Sequence, residues 1–174
     1  MVDIREQVRR RANYACEFCG VTEADTGGEL TVDHFRPKAR EGDDSLENLL
    51  YCCVRCNQYK QDYWPTEPNE LSLWNPRQEP AARHFLQLND GTLYPLTPTG
   101  AFTLRRLRLN RPPLVAYRLS KKRRTEEIRL LTRYRDLVRL LEQLHAQMSE
   151  LIGEQQELLR EQQELLELLL NRRD

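Results

Sequence analysis

Apolar positions change period several times along this chain. Ile4, Val8 and Ala12 recur at helical spacing behind Asp3 and Glu6, which together resemble a capping box, so a short amphipathic helix is expected to deliver Cys16 to a turn. After CEFCG comes a loop rich in Gly, Thr and Asp, and ELTVDHF then alternates apolar or β-branched residues with polar ones, as a strand does. AREGDDS reads as a bend. Ser45 is expected to cap a short turn carrying Leu46, Leu49 and Leu50, and residues 53 to about 63 predict a helix that begins at the second cysteine pair.

Four prolines between 65 and 83 mark an irregular wrap, with Trp64 and Trp74 as packing residues. HFLQLNDGTLYPL places two apolar runs around Asn89-Asp90-Gly91, a hairpin signal. TGAFTLRRLRLN favours helix, and Pro112 and Pro113 suit the first turn of another.

The last segment has the most regular pattern. Leucine stands at 130, 137, 144, 151, 158 and 165, and a second series follows four residues on: Tyr134, Leu141, Met148, Gln155, Gln162 and Leu169. This sustained heptad predicts a coiled-coil-like helix. From about 124 to 170 it would run roughly 70 Å at 1.5 Å per residue, beyond the span of a small domain, so it needs a partner or must fold back. Leu131, Val138, Ile152, Leu159 and Leu166 broaden the stripe, which suits a higher oligomer, an antiparallel pairing or a docked domain. Gly153 reads as a local bend, Gln155 and Gln162 as register-setting positions, and His145 as a helix-face residue.

Charge changes the picture because the zero net value conceals segregation. Residues 101–135 carry twelve Arg or Lys against two Glu, whereas residues 1–100 and 136–174 are each net acidic. A basic middle can grip a polyanion. Arg105, Arg106, Arg108 and Arg111, followed by Lys121, Lys122, Arg123 and Arg124, are candidate phosphate contacts. The charged first sixteen residues carry no apolar targeting stretch, and no run is long enough to span a membrane, so a cytoplasmic protein is expected.

Five cysteines include two C-x-x-C pairs, and in a reducing compartment that spacing predicts metal binding before disulfides. Cys16, Cys19, Cys53 and Cys56 are the expected zinc ligands, and Cys52 a small buried residue. Closing that site pulls Asp33, His34 and Asn57 together. Adjacent strand residues face opposite ways, so one of Asp33 and His34 can hold a hard cation while the other activates water. Phosphodiester hydrolysis needs those parts, a base near neutrality and a Lewis acid beside the leaving oxygen. Oxygen ligands from Asp33 and Asn57 suit Mg²⁺ or Mn²⁺. His84 has no such company and reads as a fold residue.

CEFCG followed by VDHFRPKAREGDDSLENLLYCCVRCNQYK resembles the HNH endonuclease motif in its zinc-bearing form, over roughly residues 12–62. The resemblance implies an α+β fold with a ββα-metal, treble-clef core, and a one-metal nuclease that cuts DNA to leave 5′-phosphate and 3′-hydroxyl ends. It implies His34 as general base, Asp33 as the acidic metal ligand and Asn48 as the residue that orients loop and base. Asn57 takes the last position, often histidine, which makes this an H-N-N variant. Lys60 matches a basic position that can touch phosphate.

The expected organisation is a nuclease core with structural zinc over 1–64, a wrap, hairpin and basic segment over 65–118, and a long helix over 119–174 for oligomerisation or partner docking. Two other readings use the same residues: a catalytically silent zinc-stabilised DNA-binding or adaptor module, and a nuclease subunit active only within a larger assembly.

Overall fold

Residues 3–67 and 69–170 are described by the structure, a computed structural model. Met1, Val2, Pro68 and 171–174 lie outside them, as do the side chains of 168–170 and hence that of Leu169 in the second heptad series.

Helix α1 (Ile4–Arg11) starts where the Asp3 carboxylate accepts a hydrogen bond from the Arg5 N–H, and it buries Val8 completely while Ile4 stays exposed. Glu6, expected to close a capping box, pairs instead with Arg9 and Arg10 at 3.1 and 2.6 Å. Charge-assisted bonds to two guanidiniums one turn on outweigh one to a neutral N–H. The loop after CEFCG contains a one-turn helix, α2 (Glu23–Thr26), closed by a capping box between Thr22 and Asp25.

Strand β1 (Thr31–His34) forms as its alternation predicts, and it pairs antiparallel with β2 (Leu49–Cys52), Asp33 opposite Leu50 and His34 opposite Leu49. This corrects the expectation that Leu49 and Leu50 belong to a capped turn: the turn ends at Asn48, whose N–H bonds to the Ser45 carbonyl, and a strand begins. All four residues of β2 are buried, so the strand shows no alternation, the one signal that separates a strand from a buried turn of helix. Helix α3 (Val54–Lys60) follows at once, completing a β-β-α unit.

No helix or strand occurs among the described residues from 61 to 80, in keeping with the prolines. Trp74 anchors this wrap: it is buried, its backbone N–H donates to Thr103 Oγ1 at 2.7 Å, and its indole N–H donates to the Glu79 carbonyl at 2.8 Å. A one-turn helix α4 (Ala81–His84) leads into the hairpin of β3 (Phe85–Gln87) and β4 (Leu93–Pro95), then α5 (Pro98–Arg106) and α6 (Pro112–Leu170). Gly91 in the hairpin turn has φ +81°, and a Cβ there would stand 2.8 Å from Leu119 and 2.9 Å from the Val115 carbonyl. A side chain would therefore push the hairpin off α6. Buried Arg118 secures the same junction by donating to the carbonyls of Gly91 and Leu109.

Val8, Leu50, Tyr51, Trp74, Leu107, Leu109 and Leu114 belong to one continuous core. Residues 65–118 thus share a core with the β-β-α unit, and residues 3–121 form one compact unit. Residues 122–170 form a second, wholly helical, in which the leucines of the heptad are exposed. No helix among the described residues is long and apolar enough to cross a membrane.

Candidate active site and metal centre

Two short loops bring four sulfurs together. The first knuckle follows α1, where left-handed Asn13 and Tyr14 turn the chain; Cys16 N–H bonds to Val21 and Gly20 N–H to Cys16. The second caps α3, with Cys53 Sγ accepting from the Cys56 N–H at 3.4 Å. The sulfurs of Cys16, Cys19, Cys53 and Cys56 lie within 4.8 Å of one another, and a four-thiolate set of this size fits zinc. Cys16's thiol is held well below its ordinary value, first by Cys19 and then by the other neighbouring thiols, while Cys19 and Cys56 are driven up by thiol hydrogen bonds, that of Cys16 first. Cys16 and Cys53 are favoured as anions while Cys19 and Cys56 resist, a conflict that a divalent cation removes. Cys52 is fully buried at the end of β2, as expected of a packing residue.

The two faces of β1 diverge as its pleat requires. His34, with 24% of its side chain exposed, has Nε2 2.7 Å from Asp44 Oδ1, and Asp44 Oδ2 receives Lys38 Nζ at 2.8 Å. The Asp44 carboxyl is held below its ordinary value by Lys38 first and His34 second, so it is an acceptor, and the hydrogen therefore sits on Nε2. Nδ1 makes no hydrogen bond among the described residues. Asp33 faces the other way. Its Oδ2 is buried, receives no hydrogen bond and meets the Lys60 ammonium at 3.1 Å.

Lys60 is not placed for the phosphate contact that the resemblance implied: only 1% of its side chain is exposed, and it spans from α3 to β1 as the counter-charge of Asp33. Burial without that partner would be prohibitive. Asn57 lies three residues earlier on the same helical face, half-buried, and its side-chain amide makes no hydrogen bond among the described residues. Asn57 thus offers an oxygen that the protein leaves unspent, and Asp33 one that is shared with Lys60 through Oδ2; both are hard donors of the kind a divalent cation takes.

Asn48 holds the 14-residue loop between the strands. Its Oδ1 accepts from the Arg36 N–H at 2.8 Å, and its Nδ2 donates to the carbonyls of Arg36 and Asp43 at 3.1 and 2.8 Å. The loop passes so close here that a Cβ on Gly42 would stand 1.8 Å from the Arg36 oxygen. Asn48 thereby fixes the segment that presents Asp44 to His34. Asp44 itself escapes sequence reading: only the acidic pair in EGDDS hints at it, and it lies ten positions along the chain from its partner.

Of the predicted arginines, Arg105, Arg106 and Arg108 line one cleft beside α3, with Gln58, Tyr59 and Gln61. Arg106 also lies over Tyr63 and donates to the Lys60 carbonyl at 3.2 Å, and Arg108 lies over Tyr59. Arg111 is drawn away to the sulfurs, its Nη2 3.8 Å from Cys56 Sγ, where a cation offsets thiolate charge. His84 is a buried fold residue, as expected, bonded at 2.6 Å to both Thr97 and Glu79. Of Lys121, Lys122, Arg123 and Arg124, the first belongs to the compact unit and the rest to the helical one.

Residues 16–62 match the family model described as HNH endonuclease, which spans the two cysteine knuckles, both strands and α3. A comparison with curated proteins gives no match.

Proposed function

We propose, from the HNH endonuclease domain in residues 16–62, that this chain is a metal-dependent endonuclease that hydrolyses DNA phosphodiester bonds. The observation that carries the reading is the division of labour across β1, with His34 held by Asp44 on one face and Asp33 turned to α3 on the other. His34 Nδ1 takes a proton from water, whose oxygen attacks phosphorus as the bond to the 3′ oxygen breaks; that oxygen takes a proton from a solvent water, giving 5′-phosphate and 3′-hydroxyl ends, and the imidazolium returns its proton to solvent. Asp44 positions the imidazole and stabilises it once charged. Asp33 and Asn57 would hold the divalent cation, Mg²⁺ or Mn²⁺, which when bound would supply Lewis-acid stabilisation of the leaving oxygen. Arg105, Arg106 and Arg108 grip backbone phosphates next to α3, which makes binding salt dependent and indifferent to sequence. The apolar face of α6 serves self-association or a partner protein, and the metal-ready thiols suit a reducing, cytoplasmic setting.

The test is plasmid cleavage by the zinc-loaded protein with added Mg²⁺ or Mn²⁺, beside His34→Ala. Cutting that needs the added cation and falls by about 10²–10⁴-fold in the variant is expected. One observation favours a second reading, a silent zinc-stabilised DNA-binding module: Lys60 already neutralises Asp33. In that case DNA is retarded equally by both proteins and cut by neither.

A further inference from the structure

We infer that α6 pairs with a second copy of itself in antiparallel orientation; this rests on the reading of its apolar face as a self-association surface. Two features of residues 122–170 lead there. The apolar stripe is continuous and exposed throughout, from Leu130 through Leu144 and Leu151 to Leu165, so its burial needs a surface of the same length and regularity. A second α6 supplies one.

Charge then chooses the direction. Residues 122–139 carry seven Arg or Lys against three acidic residues, whereas residues 140–170 carry one Arg against seven Glu. A parallel pair would lay basic half on basic half and acidic half on acidic half along its whole length. An antiparallel pair crossing near Ala146 instead lays the basic half along the partner's acidic half, with Arg133 beside the seam on one copy and Glu161 beside it on the other. Flanking charges of this kind set orientation in paired helices, and like charges in register cost several kcal/mol. Gln155 and Gln162 weigh the other way, since parallel strands would stack amide on amide. Two amides whose long stems reach the rim are a smaller term than a reversed field over the whole helix. The crossing puts residue 130 of one copy opposite residue 162 of the other, so the two chains enter the pair at opposite ends, roughly 48 Å apart at 1.5 Å per residue.

The experiment uses the full zinc-loaded chain in two steps. Light scattering should give the mass of two chains or an even multiple. A mass of one chain overturns the association itself, and a mass of three overturns the orientation, because three helices cannot all be mutually antiparallel. Leu130→Cys and Gln162→Cys are then treated with a short bis-maleimide, separately and mixed. The antiparallel pair yields a cross-linked dimer only in the mixture. Cross-linking of Leu130→Cys alone, or none in the mixture, overturns the orientation while leaving association standing. A charge-reversed chain (Glu154→Arg, Glu157→Arg, Glu161→Arg, Glu164→Arg) gives an independent reading of sign. Its self-association should weaken at least tenfold in low salt if antiparallel, and should tighten if parallel.

Discussion

Leu114 and Leu130 lie on the same helix, yet the first is 3% exposed and the second 68%. The difference comes from what surrounds each. Leu114 packs into the core of a unit whose remaining needs are met internally: a four-sulfur cluster, paired buried charges and a stapled loop. Leu130 belongs to a stretch with backbone hydrogen bonds of its own and no core of its own; on the self-association reading above, a second copy covers its apolar face. Helices of this kind gain most of their stability from packing an apolar face. One region is thus specified by chemistry at particular residues, the other by a pattern repeated every seven.

The largest effect that would break this contrast is metal removal. Stripping the cysteine cluster with a chelator should abolish cooperative unfolding of residues 3–121, because structural zinc is worth about 10–16 kcal/mol in small domains, while helical circular dichroism from 122–170 persists. A near-ultraviolet spectrum unchanged by chelation would mean that the cluster is not the clamp. The reciprocal change is Leu151→Glu, which should weaken self-association at least tenfold by burying a charge in the stripe and leave zinc content and the melting of the compact unit unmoved.

Asn48→Ala comes next. It deprives the 36–48 loop of three hydrogen bonds and should cost about 1–3 kcal/mol in denaturant unfolding, with cleavage falling further than stability if the loop's task is to hold Asp44. Asp44→Asn tests that task directly: kcat should drop about tenfold with KM and melting temperature unchanged, as for loss of a positioning contact. An unchanged kcat would make the Asp44–His34 bond incidental.

The smallest effect concerns acid. Glu23 is held down to about 2, from an ordinary 4.5, by the Arg9 guanidinium first and the Tyr51 hydroxyl second. A depressed carboxyl stabilises the fold above its unfolded value, and that stabilisation is lost as pH falls from about 4.5 towards 2. Glu23→Gln should therefore be less stable than the parent at pH 6, with the gap closing across that window.

Much of the site was legible because its signals are local. Two C-x-x-C pairs, an Asp-His on an alternating strand and an asparagine after the last cysteine name the parts without a fold. What was not legible depends on environment. Strand β2 looked like part of a turn because burial on both faces erased its period. Lys60 read as a phosphate contact until α3 was set against β1 and Asp33 became its neighbour. Arg111 read as one of four equivalent arginines until the chain turned it towards sulfur. Asp44 had only the acidic pair of EGDDS to hint at it, since its meaning comes from a loop that Asn48 and Gly42 fold.

By itself, the sequence determined the four cysteines that cluster, the strand that bears Asp33 and His34, the hairpin at Asn89-Asp90-Gly91 and the long heptad helix, because cysteine spacing, period and turn chemistry act between residues close in the chain. Only the tertiary structure decided which charges pair, which arginines stay in the cleft and which carboxylate holds His34. Those choices depend on which groups lose their water together, and that is fixed when distant segments pack.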